Sequence, residues 1–148
     1  MLFVKKVVME DFYVYLTSDD SIHLFPDNKP SEFTVNLGRN ITLKGNWTCA
    51  LKEITYHVHD KLPETVHILC NKCEPSYVRN TYLPILRRLH FPLVEEGMYT
   101  DTLYDPFYMK VIDSNISNLT ISIRGQDDGD VNFDYHSIKC VLHFKKKR

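Results

Sequence analysis

Eleven consecutive residues, Trp47-Thr48-Cys49-Ala50-Leu51-Lys52-Glu53-Ile54-Thr55-Tyr56-His57, constrain this chain more than any other stretch. Taking alternate positions puts Trp47, Cys49 and Leu51 on one face with Glu53 and Thr55, while Thr48, Ala50, Lys52, Ile54 and Tyr56 share the other. The two-residue alternation therefore fails near Lys52-Glu53. Ala50 to Glu53 would suit a helix, but the β-branched Thr48, Ile54 and Thr55 and the aromatic Trp47 and Tyr56 favour an extended chain. The stretch reads as one long strand that carries a bulge or bends between two sheets.

Strand patterns continue on both sides of it. Phe12 to Leu16 is an apolar run closed by the turn cluster Thr17 to Ser21, and Ile22 to Phe25 reads as a second strand stopped by Pro26. Phe33 to Leu37 alternates with Phe33, Val35 and Leu37 inward, and Val66 to Cys70 is another strand. In Tyr77 to Phe91, Pro84 rules out a central ladder position and implies an edge or a bend. Pro92 to Asp105 reads as a long surface loop. Phe107 to Ile112 and Leu119 to Ile123 are strands, and an Asp-Gly hairpin signal at Gln126 to Asp130 leads to Val131 to Phe133. Ile138 to Phe144 closes the series with Ile138, Cys140, Leu142 and Phe144 on one face. No segment of about ten residues carries a helical stripe, so the expectation is an all-β antiparallel sandwich or barrel. With 148 residues and 43% apolar content the chain suits one domain, residues 1–148, with an N-terminal arm over 1–10 and a disordered basic tail over 145–148.

Charge and cysteine usage narrow the class. The formal charge is −1, with +4 in the last four residues and −5 left for the rest, which is unlike a domain that meets nucleic acid over one basic face. Lys5 and Lys6 interrupt the apolar N-terminus before a signal-peptide core forms, and no run is long enough for a transmembrane span. The expectation is a protein made in the cytosol or nucleus and not secreted, with Cys49, Cys70, Cys73 and Cys140 reduced and the sequons at Asn40, Asn46, Asn115 and Asn118 unused.

Few residues suggest chemistry. His57 and His59 would share one face of a strand and, with Glu64, could ligate a metal as part of a cupin-like HxH motif, but the flanking glycines and a second cupin motif are missing. Cys70 and Cys73 have the spacing of half a zinc site without a second pair. The five glycines form no phosphate loop, no serine sits in a nucleophile elbow, and Asp127 to Asp130 lacks the ligand spacing of a calcium loop. Neither a cofactor nor a catalytic site is expected, and such a domain would work through its surface.

Several blocks resemble the minor capsid, or penton, proteins of Polinton (Maverick) elements and the related adintoviruses. They are Tyr13-Val14-Tyr15-Leu16, Phe25-Pro26-Asp27-Asn28, Leu43 to Tyr56, Tyr82 to Arg87, and the C-terminal segments Tyr104 to Phe107, Ile116 to Arg124, Gly129 to Phe133 and Val141 to Phe144. The resemblance implies a single jelly roll of two four-stranded antiparallel sheets, and a structural protein of the virion. It implies a homopentamer at the capsid vertices in contact with a double jelly-roll major capsid protein. On that reading Met98, Tyr99, Tyr104, Phe107 and Tyr108 are candidates for contacts around the five-fold axis, and Lys145, Lys146, Lys147 and Arg148 for weak contact with packaged DNA. The competing readings are a cupin-type metal enzyme and a trimeric jelly-roll ligand.

Overall fold

The computed structural model describes residues 10–59, 62–91, 95–134 and 136–147. Its strands are β1 (Asp11–Thr17), β2 (Glu32–Thr42), β3 (Trp47–Val58), β4 (Thr65–Cys70), β5 (Ser76–Val78), β6 (Thr81–Leu83), β7 (Ile85–His90), β8 (Gly97–Thr102), β9 (Met109–Lys110), β10 (Asn115–Gly125) and β11 (Lys139–Lys146). One sheet has the order β1-β11-β3-β8, with β9 on the same side of β3 as β8; the other has the order β2-β10-β4-β7, and β5 and β6 form a separate hairpin. Every pairing is antiparallel. From β1 to β4 and from β7 to β8, β9 to β10 and β10 to β11 the chain changes sheet, while β4 and β7 are neighbours in one, which is the jelly-roll order. The four-stranded expectation therefore holds for the second sheet, while the first gains the short β9.

The central stretch behaves as its alternation requires. Val141 of β11 pairs with Glu53 and Leu142 with Leu51, so Lys52 is the extra residue of a bulge. It moves the inward set from Cys49 and Leu51 to Ile54, Tyr56 and Val58, and all five are buried in the core. Ahead of this strand Gly45 takes φ +88, a left-handed turn residue whose added Cβ would lie 3.0 Å from Lys146 Cε. Opposite β3 the core is filled by Val66 and Ile68 of β4, Leu86 and Leu89 of β7, and Leu119, Ile121 and Ile123 of β10. Each of these fully buried aliphatic side chains contributes about 1.5–3 kcal/mol.

Several local expectations are corrected. Ile22 to Phe25 is not a strand; Leu24 and Phe25 donate to the Ser21 carbonyl in tight turns, and Ser21 Oγ caps the Asn36 amide, so local bonds replace a ladder. The following Asn28 then clamps the edge strand β2, accepting from Thr34 N at 2.9 Å and donating to Thr34 O at 2.8 Å. The segment expected as one loop from Pro92 to Asp105 lies outside the described residues at 92–94, and beyond them it is not one loop, because Gly97–Thr102 pairs with β3 as β8. From Phe107 to Ile112 only Met109–Lys110 joins a ladder, with Val111 in an isolated bridge. Val131 and Phe133 are buried but belong to no strand. Pro84 does mark a bend: it separates β6 from β7, and its carbonyl accepts from Cys70 N at 3.0 Å. Lys145 and Lys146 belong to β11 and so are not a disordered tail; Lys145 faces Asp11 on one side and Thr48 on the other.

Candidate interaction site

In β1, Val14 and Leu16 point into the core, which turns Asp11, Tyr13 and Tyr15 onto the outer face of the first sheet. Beside them β11 sets His143 against Tyr13 and Lys145 against Asp11. The Tyr13 ring stacks on His143 at 4.4 Å between centroids. His143 Nε2 lies 3.0 Å from Asp11 Oδ2, and its Nδ1 lies 2.8 Å from the Tyr108 hydroxyl. With Nε2–H donating to the carboxylate, Nδ1 accepts from the phenol, so the neutral tautomer satisfies all three groups. Burial first, then the charges of Tyr13, Asp11 and Cys49, hold the Tyr108 hydroxyl above its ordinary pKa. It stays a donor rather than a nucleophile. The arrangement is an anchor for Tyr108, and Lys145 Nζ lies 5.9 Å from the centre of that ring.

Two segments singled out in the sequence thus meet. Tyr108, Lys145, Lys146 and Lys147 line one open groove of about 740 Å³ together with Glu10, Asp11 and Thr48. Arg148 lies outside the described residues. The other aromatic candidates do not gather at this point. Met98 is exposed near the start of β8, whereas Tyr104 and Phe107 follow its end, which lies about 13 Å further along at strand spacing. Tyr99 is half-buried against Tyr56 and donates its hydroxyl to the Glu95 carbonyl at 2.7 Å, so it serves the fold. Phe107 lies under the Arg87 guanidinium at 4.0 Å, and Arg87 also donates to Asp105 O at 3.1 Å, which fastens the 103–108 segment to β7.

Sequence reasoning missed Tyr13, Tyr15 and Asp11 as surface residues and the buried His143 that ties them to Tyr108. The signal was present in β1, where the same alternation that buries Val14 and Leu16 exposes the two tyrosines. Ile22 and Leu24 are exposed as well, in the turn that follows β1.

The two sets of metal candidates stay apart from each other, and Glu64 does not join the histidines. His57 stacks on His136 with centroids 3.6 Å apart and lies 6.4 Å from the His59 ring. The carboxylates that meet His59 are Glu96 at 3.0 Å and Asp134 at 3.9 Å, rather than Glu64. Cys70 and Cys73 gain Cys49 as a neighbour: the Cys73 thiol bonds with both of the others. All four cysteines are free and buried. Burial leads in holding the Cys49 thiol up; for Cys70 the bond with Cys73, and for Cys73 the bond with Cys49, lead instead. Cys140 is pushed up to about 12 by burial. These groups remain protonated thiols near neutral pH. Among the described residues no group of three or more His, Cys, Asp or Glu is arranged to hold a metal ion.

No protein-family model matches the chain, and no curated protein matches its sequence. What the structure defines is an all-β jelly-roll sandwich with an aromatic and basic outer groove. No helix among the described residues is long and apolar enough to cross a membrane.

Proposed function

We propose that this chain is a minor capsid, or penton, subunit of the Polinton and adintovirus type, a structural virion protein that closes into a homopentamer at a capsid vertex and touches a double jelly-roll major capsid protein. The observation that carries the reading is the pair of unlike apolar flanks on the jelly roll. On the β1/β2 flank Tyr13, Tyr15, Ile22 and Leu24 are exposed; on the β7/β8 flank Met98, Tyr104 and Phe107 are exposed. A five-fold ring is built by a head-to-tail contact between two different surfaces of the same chain. Exposed apolar groups on two different surfaces are what such a contact requires; Tyr77, Tyr82 and Ile112 are exposed outside both.

The basic end has a smaller part in this reading. Lys145, Lys146 and Lys147 share their groove with Glu10 and Asp11, so a contact with DNA there is weak and is lost as salt rises. The test of the whole reading is the mass of the purified protein by native mass spectrometry. A five-fold mass supports the penton assignment, and a three-fold mass replaces it with the trimeric ligand class. Protein that stays monomeric even when mixed with a double jelly-roll capsid protein overturns it.

A further inference from the structure

The outer face of the second sheet carries two arginines flanking a buried histidine, a group that the capsid reading does not use. Arg124 of β10, His67 of β4 and Arg88 of β7 stand directly opposite one another across three strands. Burial and the flanking guanidinium disfavour the charged form of the imidazole between them, so each arginine needs a partner elsewhere. Arg124 is answered by Glu32 at 3.1 Å and Asp130 at 3.0 Å. The Arg88 side chain makes no hydrogen bond or ion pair among the described residues, and neither does that of Arg79, which the β5–β6 hairpin brings over the same face. Between them lies a groove of about 370 Å³, lined also by Tyr77 and Gln126, with the buried His67 ring at its floor.

Arg79 holds φ +56, a left-handed conformation that costs a non-glycine residue energy. The hairpin thus keeps a strained arginine beside a second unpaired one.

We propose that this groove is a phosphate-binding site, with Arg79 and Arg88 gripping the phosphate oxygens from two sides and His67 donating from the floor. A carboxylate has two oxygens and is satisfied by one guanidinium fork, whereas a phosphate presents three acceptor oxygens that two guanidiniums and an imidazole N–H can share. The four groups that face His67 come from every neighbouring element: Arg88, Arg124, Arg79 and, on the turn after β10, Asp128. Burial lowers the pKa of His67 and Arg88 lowers it further, Asp128 opposes them, and Arg79 adds a smaller lowering. A bound dianion reverses the arginine contribution.

The experiment titrates inorganic phosphate, and separately a nucleoside monophosphate, into the protein in chloride buffer, and follows the His67 imidazole by NMR, assigned with H67Q. Saturable binding of inorganic phosphate with a rise in the His67 pKa is expected. Tighter binding of the nucleotide through the same arginines identifies the source as a phosphate ester stacking on Tyr77. R88Q and R79G should each weaken binding at least about ten-fold, the loss of one charge-assisted contact. R79G should do so without loss of thermal stability, because glycine takes the left-handed φ freely. Failure of either ligand to saturate, or binding that survives both substitutions, overturns the site.

Discussion

Replacing Tyr104 by Ser tests the proposed ring contact without touching the protomer's fold. Tyr104 is 91% exposed and has no hydrogen bond among the described residues, so its loss should change the stability of the protomer by no more than about 0.5 kcal/mol. An aromatic side chain that becomes buried removes on the order of 150 Å² or more from water, roughly 4 kcal/mol at 25 cal/mol per Å². Ordering the side chain takes back about 1 kcal/mol, leaving about 2–3 kcal/mol at each contact. At 1.4 kcal/mol per decade this weakens each contact on the order of a hundred-fold. Tyr15, 74% exposed on the opposite flank, should behave alike as Tyr15→Ser. The assay is the concentration at which the five-fold mass dissociates, read by mass photometry or light scattering, beside thermal melts of each variant. Both variants keeping the wild-type dissociation concentration would refute the assignment of the two flanks. A fall in melting temperature matching the loss of assembly would show instead that the tyrosines act through the fold.

Other predictions concern the core and its titration. Tyr56 is buried, stacks on Phe91 at 4.4 Å and donates its hydroxyl to Asp101 Oδ2 at 3.2 Å, so Tyr56→Phe should cost about 1.5–3 kcal/mol in urea unfolding, and Tyr56→Ala about 3–5 kcal/mol. A neutral Tyr56→Phe would show that the hydroxyl–carboxylate bond adds nothing. His67 has a folded pKa below its ordinary 6.5, so the unfolded chain takes up the proton first; stability should fall as pH drops through 6.5 and level off below the folded value. His67→Gln should remove that component of the pH profile, and an unchanged profile would contradict the burial of a neutral imidazole. The four thiols are buried and protonated, so an aromatic disulfide reagent at pH 8 should leave them unreacted in native protein and modify all four in urea. Rapid native reaction of Cys70 or Cys73 would contradict the packing around them.

How much of this was legible in the sequence depended on whether a local pattern carried the information. The bulge at Lys52 was readable because two faces of one strand changed roles within a few residues, and Pro84 was readable because proline cannot donate to a ladder. By contrast β8 was hidden. Its inward residues are Gly97, Tyr99 and Asp101, and Asp101 is tolerated there because Tyr56 donates to it, a partner 45 residues away. Ile22 to Phe25 misled for the opposite reason: its apolar composition resembled a strand while Asp19 to Ser21 had already committed the backbone to turns. The last lysines read as a solvated tail, yet their amides are used by Glu10 and Asn46 carbonyls, at 2.8 Å for Lys146 and 2.7 Å for Lys147. The meeting of Tyr108 with His143, and of Cys49 with Cys73, joins a strand residue to one in the connection beside β9 or after β4. No spacing along the chain announces either.

The most direct test of the central claim is cryo-microscopy of the assembled protein at a resolution that traces strands. The account predicts a closed five-fold ring in which the β1/β2 flank, with Tyr13 and Tyr15, packs against the 103–108 segment of the next subunit. A two-fold particle, a three-fold particle, or a ring in which both of those surfaces face solvent would contradict it.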